Sequence, residues 1–507
     1  MSGAAVTVLE ARADWGGCVG RHEVAGLTLD SGAESFATRS DAVAGLAGEL
    51  GLAGSVVLPR PGGAWVQLPD GPRELPKTGV LGIPANPWDP EVRRTLGLVG
   101  SLRAAADRWL PADFGASAEL TSVAELVRAR MGKRVLERLV APVVGGVHSA
   151  DPALLDIDMV APGLRAAQRK LGSLSAAVAA QRSARGPGHQ AKGQDAAGEE
   201  PAGPSTRPGS AVAGLKGGMH TLIAALVADL RSRGVELIPG TRVRSFARVN
   251  GRWHAVAGAD VAGAGSATAG LTGEREFQAD HLVVALDGPT AIGLLSDVLP
   301  RLSDLKPAPG PEVRLVTLVV DVPELDHRPR GTGILVAPQT PGIRAKALTH
   351  ATGKWDWLAA EAGPGTHVLR LSYGRHTANN HTAKHHTAAP NAAVPDTAAQ
   401  GGEDAAGSPT DTAFRDMALE DASALLGVPM SKDDVLDWDV VRWEGALPFA
   451  AVGHKKRVAE VRGICRQSKG LAVVGGWLAG NGLAAVVADT RGELKRLLSP
   501  SGYQVRG

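Results

Sequence analysis

The sequence predicts an α/β fold built on a Rossmann-like domain, and three observations carry that prediction. The first is a short aliphatic run, Val6, Val8 and Leu9, ending on Glu10, as a strand of a dinucleotide-binding unit ends when its carboxylate must reach a ribose hydroxyl. The second is the passage behind it, with Gly16 and Gly17, then alternating Val24, Leu27 and Leu29, closing on Asp30, Gly32, Ala33, Glu34 and Ser35. Glycines in such a passage let backbone N–H groups approach a ligand closely. The third lies near the other end. Leu471 to Val474 read as a strand, Gly475 to Asn481 as a turn, and Gly482 onward as an amphipathic helix packing through Leu483, Val486, Val487, Leu494 and Leu497. That helix start offers free N–H groups and the positive end of a dipole to a phosphate or an electron-rich ring edge.

A chain of 507 residues with 44% apolar content can bury two packed domains. Its 54 basic and 52 acidic residues leave a formal charge of +2, so no global field points to nucleic acid or an anionic membrane. Cys18 and Cys465 form neither a metal-ligand spacing nor a disulfide framework, which fits reduced thiols in a cytoplasm. The start shows no charged stretch followed by an apolar one, so no export signal is read there. Gly470 to Ala488 is free of charge but carries five glycines and an Asn, and it divides into strand, turn and helix better than it spans a membrane.

Between the termini, Asp41 to Leu52 has helical spacing at Val43, Leu46, Ala47 and Leu50 and stops at Gly51. Residues 56–88 alternate short strands with turns such as Leu68-Pro69-Asp70-Gly71 and Gly82-Ile83-Pro84. Asp89 to Leu174 is mostly helical; Ser122 and Glu125 form a capping box, and Val123, Leu126, Val127, Val135 and Leu139 share one broad face. His148 reads as a packing or hydrogen-bonding residue rather than a base. Residues 183–210 are nearly devoid of large apolar side chains and are expected to be disordered. Order returns at Leu215 with a Gly-Gly turn, an amphipathic helix and a strand, then the turn into Thr241, Arg242 and Val243. A hairpin between Val249 and Phe277 and a strand over Ala279–Leu286 follow, then antiparallel strands at Leu315–Val320, Gly333–Val336 and His367–Tyr373. A second low-complexity passage, 376–412, holds His376, His381, His385 and His386 with no carboxylate or Cys at ligand spacing, so no metal site is assigned. A helix over Asp411–Leu426 is capped by Gly427.

Glu10 with Gly17, the run DSGAESF, Val243, the order Trp443, Pro448, Gly453, His454, and the turn Gly480–Leu483 together resemble the amine-oxidase-like flavoproteins. DSGAESF is most similar to the protoporphyrinogen and coproporphyrinogen III oxidases of haem synthesis. The resemblance implies FAD, bound by Glu10, Ala11, Gly17, Cys18, Gly32, Ala33, Glu34, Ser35, Val243, Trp443, Asn481, Gly482 and Leu483, with no catalytic side chain and no metal assigned. It implies an FAD-binding domain in three parts (1–55, 211–300, 466–507) interleaved with an α+β substrate domain of antiparallel sheet and helices (56–182, 301–375, 413–465). In that family a first strand and a Gly-x-Gly-x-x-Gly turn precede the counterpart of Val6, whereas here only Met1 to Ala5 do, so the N-terminal strand and phosphate loop are expected to be missing.

The implied activity is oxidation of coproporphyrinogen III, or of protoporphyrinogen IX, with dioxygen as acceptor. The implied setting is cytoplasmic, without a transmembrane span or nucleic acid, and in contact with the next haem-synthesis enzyme. Two readings stay open beside it. One is another flavoprotein of the group, an amine oxidase or a carotenoid desaturase. The other is a flavin-free remnant that only binds a porphyrin or a partner.

Overall fold

The computed structural model describes residues 4–38, 40–77, 79–115, 122–183, 212–259, 273–310, 312–374, 409–445, 451–480 and 482–499. A seven-stranded sheet runs in the order Val435–Trp443, Val313–Asp321, Thr366–Tyr373, Ala347–His350, Gly333–Val336, Trp65–Leu68, Gly71–Glu74. It contains all three strands predicted between Leu315 and Tyr373. Its pairs are antiparallel except one: Gly333–Val336 lies parallel to Trp65–Leu68, because that neighbour arrives from a distant stretch of chain rather than through a hairpin.

Val316, Leu318, Val320, Leu369 and Leu371 alternate onto one face of the sheet, all fully buried, and meet Ala418, Ala422 and Leu425 of the helix Pro409–Leu426. Each such side chain contributes roughly 1.5–3 kcal/mol relative to exposure. That helix begins two residues before Asp411, with Pro409 first, where its missing N–H costs no hydrogen bond; residues 409–412, expected in the low-complexity passage, are thus helical. The rest of that passage, and all of 183–210 except Ser183, lie outside the described residues. The opposite face of the sheet presents Val319 and Val368 to Val24, Leu27 and Leu29 of the hairpin Arg21–Val24/Leu27–Asp30, and to Trp355 and Leu358.

Two parallel pairs stand beside this sheet. Thr7–Leu9 pairs with Glu236–Ile238, and Leu282–Val284 with Leu471–Val473. Parallel neighbours need crossover connections, and helices run next to both pairs: His220–Ser232 leads directly into Glu236–Ile238, and Leu483–Leu498 follows Leu471–Val473. Among the described residues no further strand joins the two pairs. Thr241–Val249, Arg252–Ala259 and Arg275–Ala279 form a separate antiparallel sheet with an irregularity between Val243 and Ser245.

The helical region closes over a core that includes Val92, Leu96, Leu126, Val127, Val135, Leu139 and Val144. The Ser122 capping box is present: the Glu125 N–H donates to Ser122 Oγ at 3.1 Å, and the Ser122 N–H donates to the Glu125 carboxylate at 3.2 Å. The helix it starts, Val123–Met131, ends at Gly132. Val135 and Leu139, expected on the same helix, instead belong to the next helical run, which passes through a π-helical turn at Leu136–Val140; both still reach the common core. No described helix is long and apolar enough to cross a membrane.

Candidate functional site

Glu10 is fixed by backbone on both sides. Its N–H donates to the Ile238 carbonyl at 3.1 Å, and its own carbonyl accepts the Thr241 N–H at 2.7 Å. One turn on, the Gly240 N–H donates to the Arg12 carbonyl at 2.8 Å. The carboxylate is left at the end of its strand. Oε1 accepts the Arg12 N–H at 2.9 Å, and Oε2 carries no hydrogen bond among the described residues. Val243 sits two residues beyond Thr241 on a strand whose register is disturbed at that point. The Glu10 strand end and the Val243 strand are therefore one unit.

The second cluster begins at the Gly16–Gly17 turn. Val19 N–H closes it on the Gly16 carbonyl at 3.0 Å, and the space where a side chain at Gly17 would project is open. The chain returns alongside: Ser31 N–H donates to the Gly20 carbonyl at 3.0 Å and Ala33 N–H to the Cys18 carbonyl at 2.8 Å. Contact is so close at Gly32 that a Cβ there would stand 2.1 Å from the Cys18 carbonyl oxygen, so only glycine fits. Trp443 is tied to the same loop, its indole N–H donating to the Ser31 carbonyl at 2.8 Å. The Arg12 guanidinium lies 5.2 Å from the Trp443 ring centroid, and through Arg12 the Glu10 unit meets the Ser31–Trp443 unit.

Glu34 does not face open space. Lys354 Nζ donates to its Oε1 at 2.5 Å and Arg370 Nη1 to its Oε2 at 2.8 Å, while Arg370 Nη2 holds the Gly32 carbonyl at 2.8 Å. Burial alone would raise the Glu34 pKa, but Lys354 and then Arg370 outweigh it and hold the carboxyl at about 2. Both cations come from the sheet side of the molecule, so the Gly32–Ser35 loop is clamped onto the sheet. Asp30 performs a parallel task, accepting the N–H groups of Met219 and His220, both at 2.9 Å, at the head of helix His220–Ser232.

Leu483 opens the C-terminal helix Leu483–Leu498. Gly482, at φ 105, precedes it, and among the described residues no side chain caps its first N–H groups. Leu483, Ala484 and Ala33 pack against one buried cluster that includes Val19 and Phe36, which puts this helix start on the same cluster as the Gly32–Ser35 loop. Further along, Arg462 grips Asp489 at 2.6 Å and Glu493 at 3.2 Å, and Arg466 and Arg496 close on the same Glu493. The helix is therefore anchored along its length, while its first N–H groups carry no side-chain cap among the described residues.

The structure thus gathers Glu10, Ala11 and Val243 at one end, and Gly17, Cys18, Gly32, Ala33, Glu34, Ser35, Trp443, Gly482 and Leu483 at the other. Asn481 and Pro448 lie outside the described residues. The free Glu10 oxygen, the open backbone at Gly17 and the uncapped helix start fit a bound dinucleotide. His148 is held near a pKa of about 4 by burial, and burial also lowers His454, so both are neutral at pH 7; His454 Nε2 donates to the Trp477 carbonyl at 2.7 Å. Sequence reasoning missed Arg12, Lys354 and Arg370. It also missed the His22–Asp439 contact of 2.5 Å, which holds the Asp439 carboxyl below its ordinary value. Only Arg12, two residues from Glu10, carried a local signal.

The sequence pattern described as "Flavin containing amine oxidoreductase" matches residues 1–450. A coproporphyrinogen III oxidase of Mycobacterium leprae is 26% identical over 488 residues, 96% of this chain and 90% of that protein. One of Propionibacterium freudenreichii is 27% identical over 515 residues, covering 96% and 85%. Among solved structures, a protein of Exiguobacterium sp. assigned as a protoporphyrinogen oxidase has the same fold at a TM-score of 0.70, with 22% identity over 97% of this chain and 92% of that one. With that pattern over most of its length and this fold, the chain belongs to the flavin-containing amine oxidoreductases and is an oxidoreductase whose cofactor is FAD.

Proposed function

We propose that this protein oxidises a porphyrinogen, coproporphyrinogen III in the first instance, with dioxygen as the acceptor and in the cytoplasm. The observation that carries this reading is the reach of the likeness: relatives named coproporphyrinogen III oxidase align with 96% of the chain. The loop Gly32–Ser35, whose sequence first suggested that group, is also among the most tightly fixed features beside the proposed flavin site.

FAD supplies the hydride acceptor and, on reoxidation by dioxygen, the route to hydrogen peroxide. The chain's own part is to bind and orient. Glu10 is placed to accept hydrogen bonds from ribose hydroxyls, and the first turn of Leu483–Leu498, without a side-chain cap among the described residues, offers N–H donors to the anionic or electron-rich part of the cofactor. Trp443, buried and pinned to Ser31, forms a rigid apolar wall that excludes water. The substrate loses six electrons and six hydrogens in three two-electron rounds, each giving up a hydride from a saturated bridging carbon and releasing a proton to solvent from a pyrrole nitrogen or the remaining bridging carbon. Each round consumes one dioxygen and yields one hydrogen peroxide, and aromatisation of the finished macrocycle drives the sequence. No strong side-chain acid or base is demanded.

The test is the visible spectrum of the purified protein followed by anaerobic addition of coproporphyrinogen III. Bound flavin should bleach, and air should restore it with formation of coproporphyrin III and hydrogen peroxide. Flavin that bleaches with a primary amine and not with the porphyrinogen would make the protein an amine oxidase. A preparation unable to bind flavin but still holding a porphyrin would favour the binding-protein reading.

A further inference from the structure

The strand that carries Arg370 of the Glu34 clamp also reaches a groove that the oxidation chemistry does not use. Strand Thr366–Tyr373 sends Val368 to the sheet face covered by the hairpin Arg21–Val24/Leu27–Asp30, and Leu369 and Leu371 to the face covered by helix Pro409–Leu426. Successive side chains of a strand point to opposite faces, so His367 stands on the face away from Arg370. There it lines a groove of about 400 Å³ together with Arg60, Asp326, Arg328, Thr352 and Asp356. That is the size of a site for a small molecule.

Hydrogen bonding fixes what His367 offers to this space. The residue is 5% exposed. Its Nδ1 lies 3.0 Å from His350 Nε2 and 3.2 Å from the Thr352 hydroxyl. Thr352 Oγ1 already accepts the Val368 N–H at 3.3 Å, so its own proton is free to go to Nδ1. Both imidazoles are neutral at pH 7: burial lowers each, and with the help of His367, Arg328 and Arg60 it brings His350 to about 3. An Nδ1 that accepts from His350 and Thr352 leaves the single proton of His367 on Nε2. Nε2 stands 3.3 Å from Asp326 in a geometry that makes no hydrogen bond, and it has no other partner among the described residues. A buried donor left in this way is costly until something accepts from it.

The charges of the groove are unequally engaged. Arg60 is paired with Asp356, and Asp326 Oδ1 accepts the Gly365 N–H at 3.3 Å. Arg328 ends the 3-10 turn Pro323–His327 at φ 50 and is half-buried; its guanidinium has no hydrogen bond or ion pair among the described residues. One guanidinium and one imidazole N–H, both unused, thus line the same space, which is the complement of an oxyanion. Asp326 Oδ2, without a hydrogen bond among the described residues, adds an acceptor for hydroxyl groups. A metal ion is not served there, since among the described residues no three His, Cys, Asp or Glu side chains gather to hold one.

We infer that this groove binds a small hydroxyl-bearing oxyanion, a hydroxy acid or a phosphate ester of a polyol, with Arg328 and His367 Nε2 on the anion and Asp326 on its hydroxyls. The site is separate from the proposed flavin site and rests on no assumption about the substrate.

The test is isothermal titration calorimetry on the full-length, FAD-loaded protein at constant ionic strength. Glycerol 3-phosphate and glycerate carry similar hydroxyls on different anions; at least one should bind, and the tighter of the two identifies the anion. Glycerol, which has the hydroxyls without the anion, should not bind. Arg328→Gln should weaken binding about 10- to 100-fold, and Ala360→Tyr, which fills the groove from an exposed position, should abolish it. Neither position is in the core, so the melting curves and flavin spectra of both variants should match the parent. Absence of binding by both anions, equal binding of glycerol, or an affinity that either variant leaves unchanged would overturn the proposal.

Discussion

The seven-stranded sheet and the parallel pair that carries Glu10 are both β-structure, yet they are held in different ways. In the sheet, Val316, Leu318, Leu369 and Leu371 have no exposed surface at all. In the pair Thr7–Leu9 with Glu236–Ile238 not one residue is buried. The sheet is stabilised by side chains packed on both faces; the pair is held by its backbone bonds and by the turn that joins Glu10 to Thr241. Stability therefore concentrates in the sheet, and the cofactor side depends on what fastens it there. The Glu34 clamp is that fastening.

Breaking the clamp should have the largest effect. Glu34→Gln leaves Lys354 and Arg370 without their shared anion, at about 3–5 kcal/mol by urea denaturation. Because the folded carboxyl titrates at about 2 against an ordinary 4.5, its contribution is complete above about pH 4.5 and is lost as pH falls through about 2. An acid denaturation series should show that loss in the parent and not in E34Q. If the two curves coincide, Glu34 is not what couples the regions.

Leu369→Ala, in the wholly buried layer of the sheet, should cost about 2–5 kcal/mol, with flavin affinity unchanged in the folded fraction. Glu10→Gln should do the reverse. Stability should stay within about 0.5 kcal/mol, while flavin binding weakens about 10- to 100-fold through loss of charge-assisted hydrogen bonds. A Glu10 variant that unfolds the protein would erase the contrast between the two regions. The smallest effect, readable without mutation, is in hydrogen exchange. Amides of residues 7–9 and 236–238 should exchange faster than those of 313–321 and 366–373, and added FAD should slow the first group more than the second.

Local chemistry made much of this legible. The Ser122–Glu125 box, the Asp41 helix start and the strand ending on Glu10 all depend on neighbours within a few residues, and each appears where the spacing puts it. The Gly32 constraint was legible as a glycine but not as a contact, since its partner, the Cys18 carbonyl, belongs to backbone that any residue has. The clamp was not legible. Lys354 and Arg370 are two cations among 54 basic residues, and nothing near them marks a carboxylate more than three hundred positions earlier.

The clamp also bears on when the protein can finish folding. Glu34 is 320 residues before Lys354 and 336 before Arg370, and Ser31 is 412 before Trp443. At bacterial and eukaryotic synthesis rates of about 5–20 residues per second, a ribosome needs roughly 20–70 s to travel from Glu34 to Arg370. Throughout that interval the nascent loop has none of the cations that later bury it, and its acids remain hydrated outside the tunnel. The loop beside the proposed flavin site is made 336 residues before the last of the two cations that bury it, so the clamp closes only late in the synthesis of the chain.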